Sequence, residues 1–245
     1  MKQALFEITE NKKIADNVFL MRLAGDTDAI TRPGQFVNVK IGGLFLRRPI
    51  SVCDSEPGLL TLIYKTVGGG TKRLSKMQPG EKADILTGLG NGYDISLSGD
   101  TPLLVGGGVG VPPLYKLAKV LISQGKHVKV ITGFNTAAEV FFTKEFRALG
   151  AEVFVATADG SEGIKGFVTD ALSAAGEYGY FYACGPEPML KALYRATKTS
   201  GQFSFEERMG CGFGACMGCS CRTVTGYKRI CREGPVLCKE EILWR

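Results

Sequence analysis

The amino-acid sequence predicts three successive parts: a β-barrel, an α/β domain built on a parallel sheet, and a small irregular tail rich in cysteine. Three observations support this prediction. Short apolar runs fill the first hundred residues, strand-like and helix-like segments alternate after them, and six of the eight cysteines lie between Cys211 and Cys238. A chain of 245 residues suits two domains and an appendage, since one core organises about 100–200 residues.

The first part, residues 1–97, is predicted to be a compact antiparallel barrel. Its apolar runs at 18–23, 36–41 and 59–65 are separated by Gly, Pro and Asp, which is typical of short strands. Apart from a turn expected at 71–77, no helical period lies between these runs. This spacing favours a closed barrel or a sandwich, and we predict the barrel.

The second part, residues 98–204, alternates apolar strands with amphipathic helices. The strand-like segments are TPLLVGGG, HVKVITGF, AEVFVATAD and YGYFYACG, and helix-like segments such as PPLYKLAKVLISQGK and PEPMLKALYRATKTSG separate them. This alternation predicts βαβ winding and a parallel sheet. Ligands of such sheets bind outside the carboxyl ends of the strands.

Two strand ends in this part carry a glycine turn followed by a helix that opens with proline. Such a helix N-terminus can receive a phosphate. The first turn departs from the G-x-G-x-x-G dinucleotide fingerprint because Val111 stands at the last glycine position. A plain structural turn and a buried structural Cys184 are therefore the alternatives. The residues concerned are Gly106, Gly107, Gly108 and Gly110 in the first turn, and Cys184, Gly185 and Pro186 in the second.

A third set of residues suited to phosphate binding lies in the predicted barrel. The segment RRPIS ends at Ser51, and GGGT follows about twenty residues later. Arginine can bind a pyrophosphate through two parallel hydrogen bonds. Gly70 and Thr71 offer close backbone approach and a hydroxyl at a predicted helix start. The alternative is a surface arginine pair and a flexible turn.

The tail, residues 205–245, has too few periodic apolar residues to fold alone, so something else must organise it. Four of its cysteines have the spacing C-x4-C-x2-C-x11-C, which matches the plant-type [2Fe–2S] arrangement. Glycines in this loop allow close approach of backbone N–H groups to the sulfides. Zinc and disulfides are the alternatives, disfavoured by the spacing and by a reducing compartment. Cys221 and Cys238 compete with Cys231 as fourth ligand, and we predict Cys231.

Composition excludes several other functions. The net charge of +6 comes from scattered Lys and Arg rather than from a basic patch, which disfavours nucleic-acid binding. No run is apolar enough to span a membrane or to act as a secretory signal, so we expect a soluble, cytoplasmic protein. The single histidine, His127, excludes catalysis by a Ser-His-Asp or Cys-His pair and is expected on the surface.

In their order along the chain, the barrel segment RPIS, the sheet segment GGGVG and the segment CGPEPM resemble the ferredoxin reductase superfamily of flavoproteins. With the tail segments ERMGCGFGACMGCSC and RICREGPVL added, the whole chain resembles the family of electron transfer subunits of class B, NAD-dependent dihydroorotate dehydrogenases. The resemblance covers essentially all 245 residues.

This resemblance implies FAD on the barrel, NAD on the α/β domain with Cys184 near the nicotinamide, and a [2Fe–2S] cluster in the tail. The superfamily usually has tyrosine where Ile50 stands, so stacking on the flavin from that position is lost, and Tyr64 is a hypothetical replacement. The implied FAD-binding residues are Arg48, Pro49, Ile50, Ser51, Ile63, Tyr64, Lys65, Gly70 and Thr71. The implied metal ligands are Cys211, Cys216, Cys219 and Cys231, which leaves Cys221 and Cys238 without a role. The implied NAD-binding residues are those of the two glycine turns.

The implied activity is that of an oxidoreductase subunit in pyrimidine biosynthesis. It would pass electrons from an FMN-containing catalytic subunit through [2Fe–2S] and FAD to NAD⁺, in a heterotetramer with two copies of each subunit. One alternative is a related FAD/[2Fe–2S] subunit of a bifurcating ferredoxin:NADP reductase, a sulfide dehydrogenase or a hydrogenase complex. Another is a zinc-stabilised binding module without redox activity. The choice of NAD over NADP rests on the resemblance alone.

Overall fold

The computed structural model of the protein describes residues 1–244. Within them it contains a closed barrel, a seven-stranded sheet flanked by helices, and a two-stranded hairpin in the tail. The predicted fold class is confirmed: a barrel, an α/β domain and a small, mostly irregular cysteine-rich tail follow one another along the chain.

The N-terminal part is a barrel of six antiparallel strands. Their bounds are Lys2–Ala15 (β1), Val18–Ala24 (β2), Phe36–Val39 (β3), Arg48–Glu56 (β4), Leu59–Lys65 (β5) and Lys82–Leu89 (β6). The barrel closes in the order β1-β2-β5-β4-β3-β6. Because neighbouring residues of a strand face opposite sides, Val37 and Leu62 fill the interior while Phe36 and Ile63 face outward to other elements. A short helix, Gly69–Leu74 (α1), lies where the sequence predicts a turn.

The second part is a mainly parallel sheet. Its strands are Pro102–Gly107 (β7), Lys129–Phe134 (β8), Glu152–Thr157 (β9), Ile164–Lys165 (β10), Tyr180–Cys184 (β11) and Gly201–Ser204 (β12). They stand in the order β10-β9-β8-β7-β11-β12, and every adjacent pair is parallel. The helices are Pro113–Ser123 (α2), Thr143–Ala148 (α3), Leu172–Ala175 (α4) and Glu187–Ala196 (α5). The central strand β7 is completely buried, as expected for a parallel sheet covered on both faces.

The tail is attached to this sheet. Its strands are Ser220–Thr223 (β13), Gly226–Arg229 (β14) and Val236–Cys238 (β15). The first two form a hairpin, and β15 pairs antiparallel with β12 as the seventh strand of the sheet. Trp244 packs against Phe203 and Phe205 with ring centroids 5.6 and 5.2 Å apart. The sheet therefore supplies the core that the tail lacks.

The barrel and the α/β domain share a continuous apolar core. It joins Val18 and Ile63 of the barrel to Leu117 of α2. The hydroxyl of Tyr93, in the segment between the two parts, donates to the carbonyl of Ala183 at 3.2 Å. This contact fixes the end of β11 relative to the barrel. Among residues 1–244, no helix is both long enough and apolar enough to cross a lipid bilayer.

Candidate cofactor and cluster sites

The four predicted cluster ligands come together in the tail as two pairs. The Sγ of Cys216 accepts the backbone N–H of Cys211 at 3.5 Å, and the Sγ of Cys219 accepts that of Cys231 at 3.4 Å. Within the described part of the chain, no three His, Cys, Asp or Glu side chains surround a single point that could hold a metal ion. In a [2Fe–2S] cluster two thiolates bind each of two irons. Two pairs of thiols fit the two irons of such a cluster.

The loop that carries the first pair stabilises negative charge on sulfur. Burial raises the pKa of the Cys211 thiol, but N–H groups of Phe213, Cys216 and Ala215 donate to this sulfur and lower its pKa to about 6. Positive φ angles at Gly212 and Gly214 turn the backbone around the sulfur. The opposite holds in the second pair, where burial, followed by the contact with Cys219, raises the pKa of Cys231 to about 12. Bound iron would supply the positive charge that this buried thiolate needs.

An arginine holds the two halves of the cluster segment together. Arg229 Nη1 donates to the carbonyl of Gly214 at 2.6 Å, and its Nε donates to Glu233 Oε2 at 2.9 Å. Gly214 lies in the loop of the first cysteine pair, whereas Arg229 and Glu233 flank Cys231 of the second. This ion pair lowers the pKa of the Glu233 carboxyl to about 2. The guanidinium therefore crosslinks both ligand pairs.

The two remaining tail cysteines lie on strands beside the cluster segment. Cys221 stands opposite Lys228 in the β13–β14 hairpin, and Cys238 ends β15, where its backbone N–H donates to Glu241 at 3.1 Å. Burial raises the pKa of both thiols. Neither contacts the sulfur atoms of the two pairs through a hydrogen bond in the described structure. That they take no part in binding iron stays a prediction.

On the barrel, the structure brings the predicted diphosphate residues together. Arg48 begins β4 and Gly70 lies in the first turn of α1, yet a Cβ on Gly70 would stand 2.4 Å from Arg48 Nε. The Arg48 guanidinium therefore lies directly against the backbone of Gly70, where a side chain at position 70 would displace it. The Thr71 hydroxyl accepts the N–H of Val67 at 3.0 Å and so fixes the loop before the helix. This guanidinium and glycine cradle fits a diphosphate, and diphosphate binding here stays a prediction.

The other predicted FAD-binding residues lie on β4 and β5, with their side chains on both faces of the barrel wall. Ile50 is buried in the barrel interior, whereas Ser51 is half-buried. Pro49 is exposed, and Ile63 faces the core shared with the α/β domain. Tyr64 also points inward, donates to Asn11 Oδ1 at 2.9 Å and stacks on Phe19. An inward ring cannot stack on a flavin outside the barrel, so the structure does not support the hypothesis that Tyr64 replaces the missing aromatic residue.

Five of the seven predicted nucleotide residues line one cavity of about 510 Å³, whereas Gly106 and Cys184 do not. It lies between the two glycine turns, Gly107–Gly110 after β7 and Gly185-Pro186 after β11, and it reaches Lys65 at the end of β5. β7 and β11 are neighbours in register, with Gly106 beside Cys184. The cavity thus opens at the carboxyl edge of the sheet, where such sheets bind ligands, and extends to the barrel. NAD binding by these individual residues stays a prediction.

Cys184 borders this cavity from within the core. It is only 3% exposed, and burial, followed by the negative charge of Glu206, raises the pKa of its thiol to about 12. The thiol is therefore neutral at physiological pH. Gly185, rather than Cys184, contributes to the cavity wall. A role for Cys184 near a nicotinamide would be that of a neutral neighbour rather than a nucleophile.

Several cavity residues were not predicted from the sequence, among them Glu206, Glu139 and Phe167. Glu206 follows β12, Glu139 follows β8 and Phe167 lies beyond β10, so each comes after a strand of the sheet. Glu139 bonds to Asn135 Nδ2 at 2.9 Å and to Lys65 of the barrel at 3.4 Å. A larger cavity of about 690 Å³, between α5, β13 and the end of the chain, shares Gly185 and Glu206 with the nucleotide cavity. None of the predicted FAD residues lines it.

Comparisons with known proteins agree with this geometry. Residues 206–243 match the family model described as the iron-sulfur cluster binding domain of dihydroorotate dehydrogenase B, and residues 104–195 match that of the oxidoreductase NAD-binding domain. The chain is 45% identical over 256 residues to the dihydroorotate dehydrogenase B (NAD⁺) electron transfer subunit of Geobacillus sp. strain WCH70, covering 99% of each chain. The chain belongs to the family of dihydroorotate dehydrogenase B electron transfer subunits. The family resemblance is confirmed.

Further relatives define the range of this similarity. The electron transfer subunit of the same name from Fusobacterium nucleatum subsp. nucleatum is 44% identical, with 96% of each chain covered. Among solved structures, one reported for an NADH-dependent reduced ferredoxin-NADP oxidoreductase and flavin-based electron bifurcation superimposes with a TM-score of 0.89. It is 32% identical and covers 98% of this chain and 90% of that chain. This chain thus shares its architecture with the protein of that structure.

Proposed function

We propose that this chain is the electron transfer subunit of an NAD-dependent dihydroorotate dehydrogenase of pyrimidine biosynthesis. The observation that carries the proposal is the pairing of Cys211 with Cys216 and of Cys219 with Cys231, on a chain that matches the electron transfer subunits over nearly its whole length. The cysteine loop contacts the barrel through Asn38, and the nucleotide cavity also reaches the barrel. The barrel thus contacts both the predicted cluster segment and the predicted nucleotide cavity.

The three cofactors of the proposal are a [2Fe–2S] cluster, FAD and NAD. FAD, when bound, exchanges single electrons with an iron–sulfur cluster and electron pairs with a nicotinamide. The four paired cysteines would hold the irons, and Arg48 with Gly70 and Thr71 would bind the FAD diphosphate. The glycine turns that line the cavity would bind the NAD phosphates through backbone N–H groups. Lys65 and Glu139 close this cavity on the barrel side.

We assign the three parts as an FAD-binding barrel at 1–97, an NAD-binding domain at 98–204 and a cluster-binding domain at 205–245. The partner would be an FMN-containing catalytic subunit, with two copies of each chain in the complex. Phe213 and Met217 on the cysteine loop are 44% and 55% exposed, which supports a partner surface over the cluster. All eight cysteines are free of disulfide bonds, which suits the reducing cytoplasm.

Co-expression with and without the catalytic subunit from the same genome tests the proposal. We expect the two chains to purify together, with flavin and iron–sulfur absorption and dihydroorotate-dependent reduction of NAD⁺. Omission of the catalytic chain should abolish orotate formation but leave NADH oxidation by artificial acceptors. A colourless chain without iron or flavin, or full dihydroorotate activity in the isolated subunit, would contradict the proposal.

A second candidate function is that of the FAD/[2Fe–2S] subunit of a bifurcating ferredoxin:NADP reductase. The structural match at 32% identity favours it specifically. The two functions differ in their substrates. Reduction of NADP⁺ that requires both NADH and reduced ferredoxin, and that needs no dihydroorotate, would establish the second function in place of the first.

A further inference from the structure

A single polar residue interrupts an otherwise apolar barrel strand. Asn38 lies in β3 between Val37 and Val39, which are completely buried in the barrel interior. The alternation of the strand turns Asn38 to the outer face, together with Phe36, which packs against the cluster-binding tail. Asn38 is itself only 2% exposed. An amide therefore lies buried between the barrel and the tail.

This amide is bonded to a cluster ligand. Asn38 Nδ2 donates to the backbone carbonyl of Cys211 at 3.3 Å. The next residue of the loop, Gly212, has a φ of +75°, and a Cβ at this position would stand 2.0 Å from Nδ2. No other residue fits that contact without moving the amide. The Asn38 side chain and the cysteine loop thus pack closely because residue 212 has no side chain.

The same residue is bonded to the strand with the predicted flavin motif. Asn38 stands opposite Pro49 in the β3–β4 ladder, and its carbonyl accepts a hydrogen bond from Arg47 Nη1 at 3.3 Å. Residues 48–51 of this strand are those predicted to contact FAD. The Asn38 side chain therefore bonds to the loop of the first cysteine pair, while its backbone pairs with the flavin strand and bonds to Arg47, the residue before that strand.

The remaining polar atom of the side chain has no partner. Asn38 Oδ1 is buried and accepts no hydrogen bond from any described residue. Buried polar groups are normally satisfied, so an exception calls for a reason. A leucine of similar size would suit the apolar surroundings of Phe36 on the outer face and would carry no unsatisfied atom of its own. The Nδ2 donor that reaches Cys211 is what such a replacement would lose.

We propose that Asn38 is a positioning residue for electron transfer, which holds the Cys211 side of the cluster against the flavin strand. This inference rests on the proposed function. With the cofactors bound, NADH would pass two electrons to FAD as a hydride and become NAD⁺, and FAD would pass them singly to the ferric irons of the cluster. Asn38 does not line the nucleotide cavity, where NADH would bind, but contacts the loop of the first cysteine pair. Its replacement should therefore slow the electron step between FAD and the cluster and leave the hydride step unchanged.

Anaerobic stopped-flow mixing with NADH separates these steps in the purified, cofactor-loaded protein. For Asn38→Leu we expect flavin bleaching at the parent rate. Reduction of the cluster should be slower by about tenfold or more, because misplacing a reacting group lowers the rate of its reaction. Iron content and the electron paramagnetic resonance signal of the reduced cluster show whether the cluster is retained. The matched control is Gln35→Met, which removes another buried barrel amide that bonds to Gly90 rather than to the tail.

Parent-like cluster reduction in iron-loaded Asn38→Leu would overturn the inference, as would equal slowing in Gln35→Met. Should the leucine variant fail to retain iron, Asn38→Ser, which adds no bulk, is measured in the same assay: slow cluster reduction supports the inference and the parent rate overturns it. The parent protein distinguishes failure of the proposed function from failure of the inference about Asn38. A parent without flavin and cluster refutes the proposed function, whereas a loaded parent with an unaffected variant refutes the role of Asn38 alone.

Discussion

Gly110 lies so close to Cys184 that a Cβ on the glycine would stand 2.2 Å from the cysteine carbonyl oxygen. The two residues belong to the glycine turn after β7 and to the last position of β11. Their backbones touch directly at the edge of the nucleotide cavity. Because Gly110 has no side chain, the two turns can lie this close together. Their separation sets the width of the cavity at this edge.

We therefore predict that Gly110→Ala forces the two turns apart and weakens NADH binding by about tenfold, with an overpacking cost of about 1–3 kcal/mol in the free energy of unfolding. Titration with NADH and urea unfolding measure the two effects. Gly179→Ala, where a Cβ meets nothing within 4 Å, is the control. Unchanged NADH affinity in Gly110→Ala would show that the turns are free to separate.

The fourth cluster ligand is decided by serine substitutions. Cys231 contacts Cys219, whereas Cys221 and Cys238 lie on strands beside the pairs. Cys231→Ser should lose the iron–sulfur absorption and most of the bound iron, while Cys221→Ser and Cys238→Ser should retain both. Iron analysis and visible spectra measure this. Retention of a native cluster in Cys231→Ser, together with its loss in either other variant, would change the assignment.

Arg229 should govern how long the cluster stays bound. Its guanidinium crosslinks the loop of the first cysteine pair to the turn that carries Cys231. We predict that Arg229→Met releases iron to a chelator several-fold faster but barely changes the melting temperature, because partly exposed ion pairs contribute little to global stability. Arg222→Met, a change of an exposed arginine in the same hairpin, is the control. Equal iron release from both variants would argue against the crosslink.

Glu206 should make nucleotide binding depend on pH. It lines the nucleotide cavity with Lys65 and lies near the Cys184 thiol, and burial raises its carboxyl pKa above the usual range. As pH rises through this pKa, the cavity gains a negative charge, which favours the cationic nicotinamide of NAD⁺ over the neutral ring of NADH. The ratio of the NADH to the NAD⁺ dissociation constant should therefore increase with pH.

Titrations of both nucleotides between about pH 5 and pH 8 measure this ratio. Glu206→Gln should flatten its pH dependence, because the amide carries no charge at any of these values. Glu207→Gln changes the adjacent carboxylate, which lines the larger cavity only, and should behave like the parent. If the ratio of the two dissociation constants still changes with pH in Glu206→Gln, another group is responsible for the pH dependence.

The elements that follow a simple periodicity were predictable from the sequence. The runs at 18–23 and 59–65 became β2 and β5 almost to the residue, and the predicted strand at TPLLVGGG became β7. The cysteine spacing predicted the four thiols that the structure arranges as two pairs, and three of the four lie in the short loop from Cys211 to Cys219. These features depend on local sequence, in which neighbouring residues determine the outcome.

The features that the sequence did not reveal depend on distant contacts. Asn38 lies in the apolar run at 36–41, and its position matters only because the tail, more than 170 residues later in the chain, folds back to contact it. Glu206 belongs to no recognisable motif. It follows β12, and ligands of such sheets bind beyond the ends of the strands, so a prediction of β12 would have indicated Glu206. The orientation of Tyr64 follows from the barrel register, which hydrophobicity alone does not fix for a strand buried on both faces.

The antiparallel pairing of β15 with β12 limits how this protein can be dissected. Ending the chain before residue 205 would strip β12 of its outer neighbour and expose a buried row of backbone donors and acceptors, which invites aggregation. A cluster-free form is therefore better obtained by changing single cysteines than by deletion. For the same reason, grafting the cysteine segment onto another reductase would require that host to offer a free sheet border of matching direction.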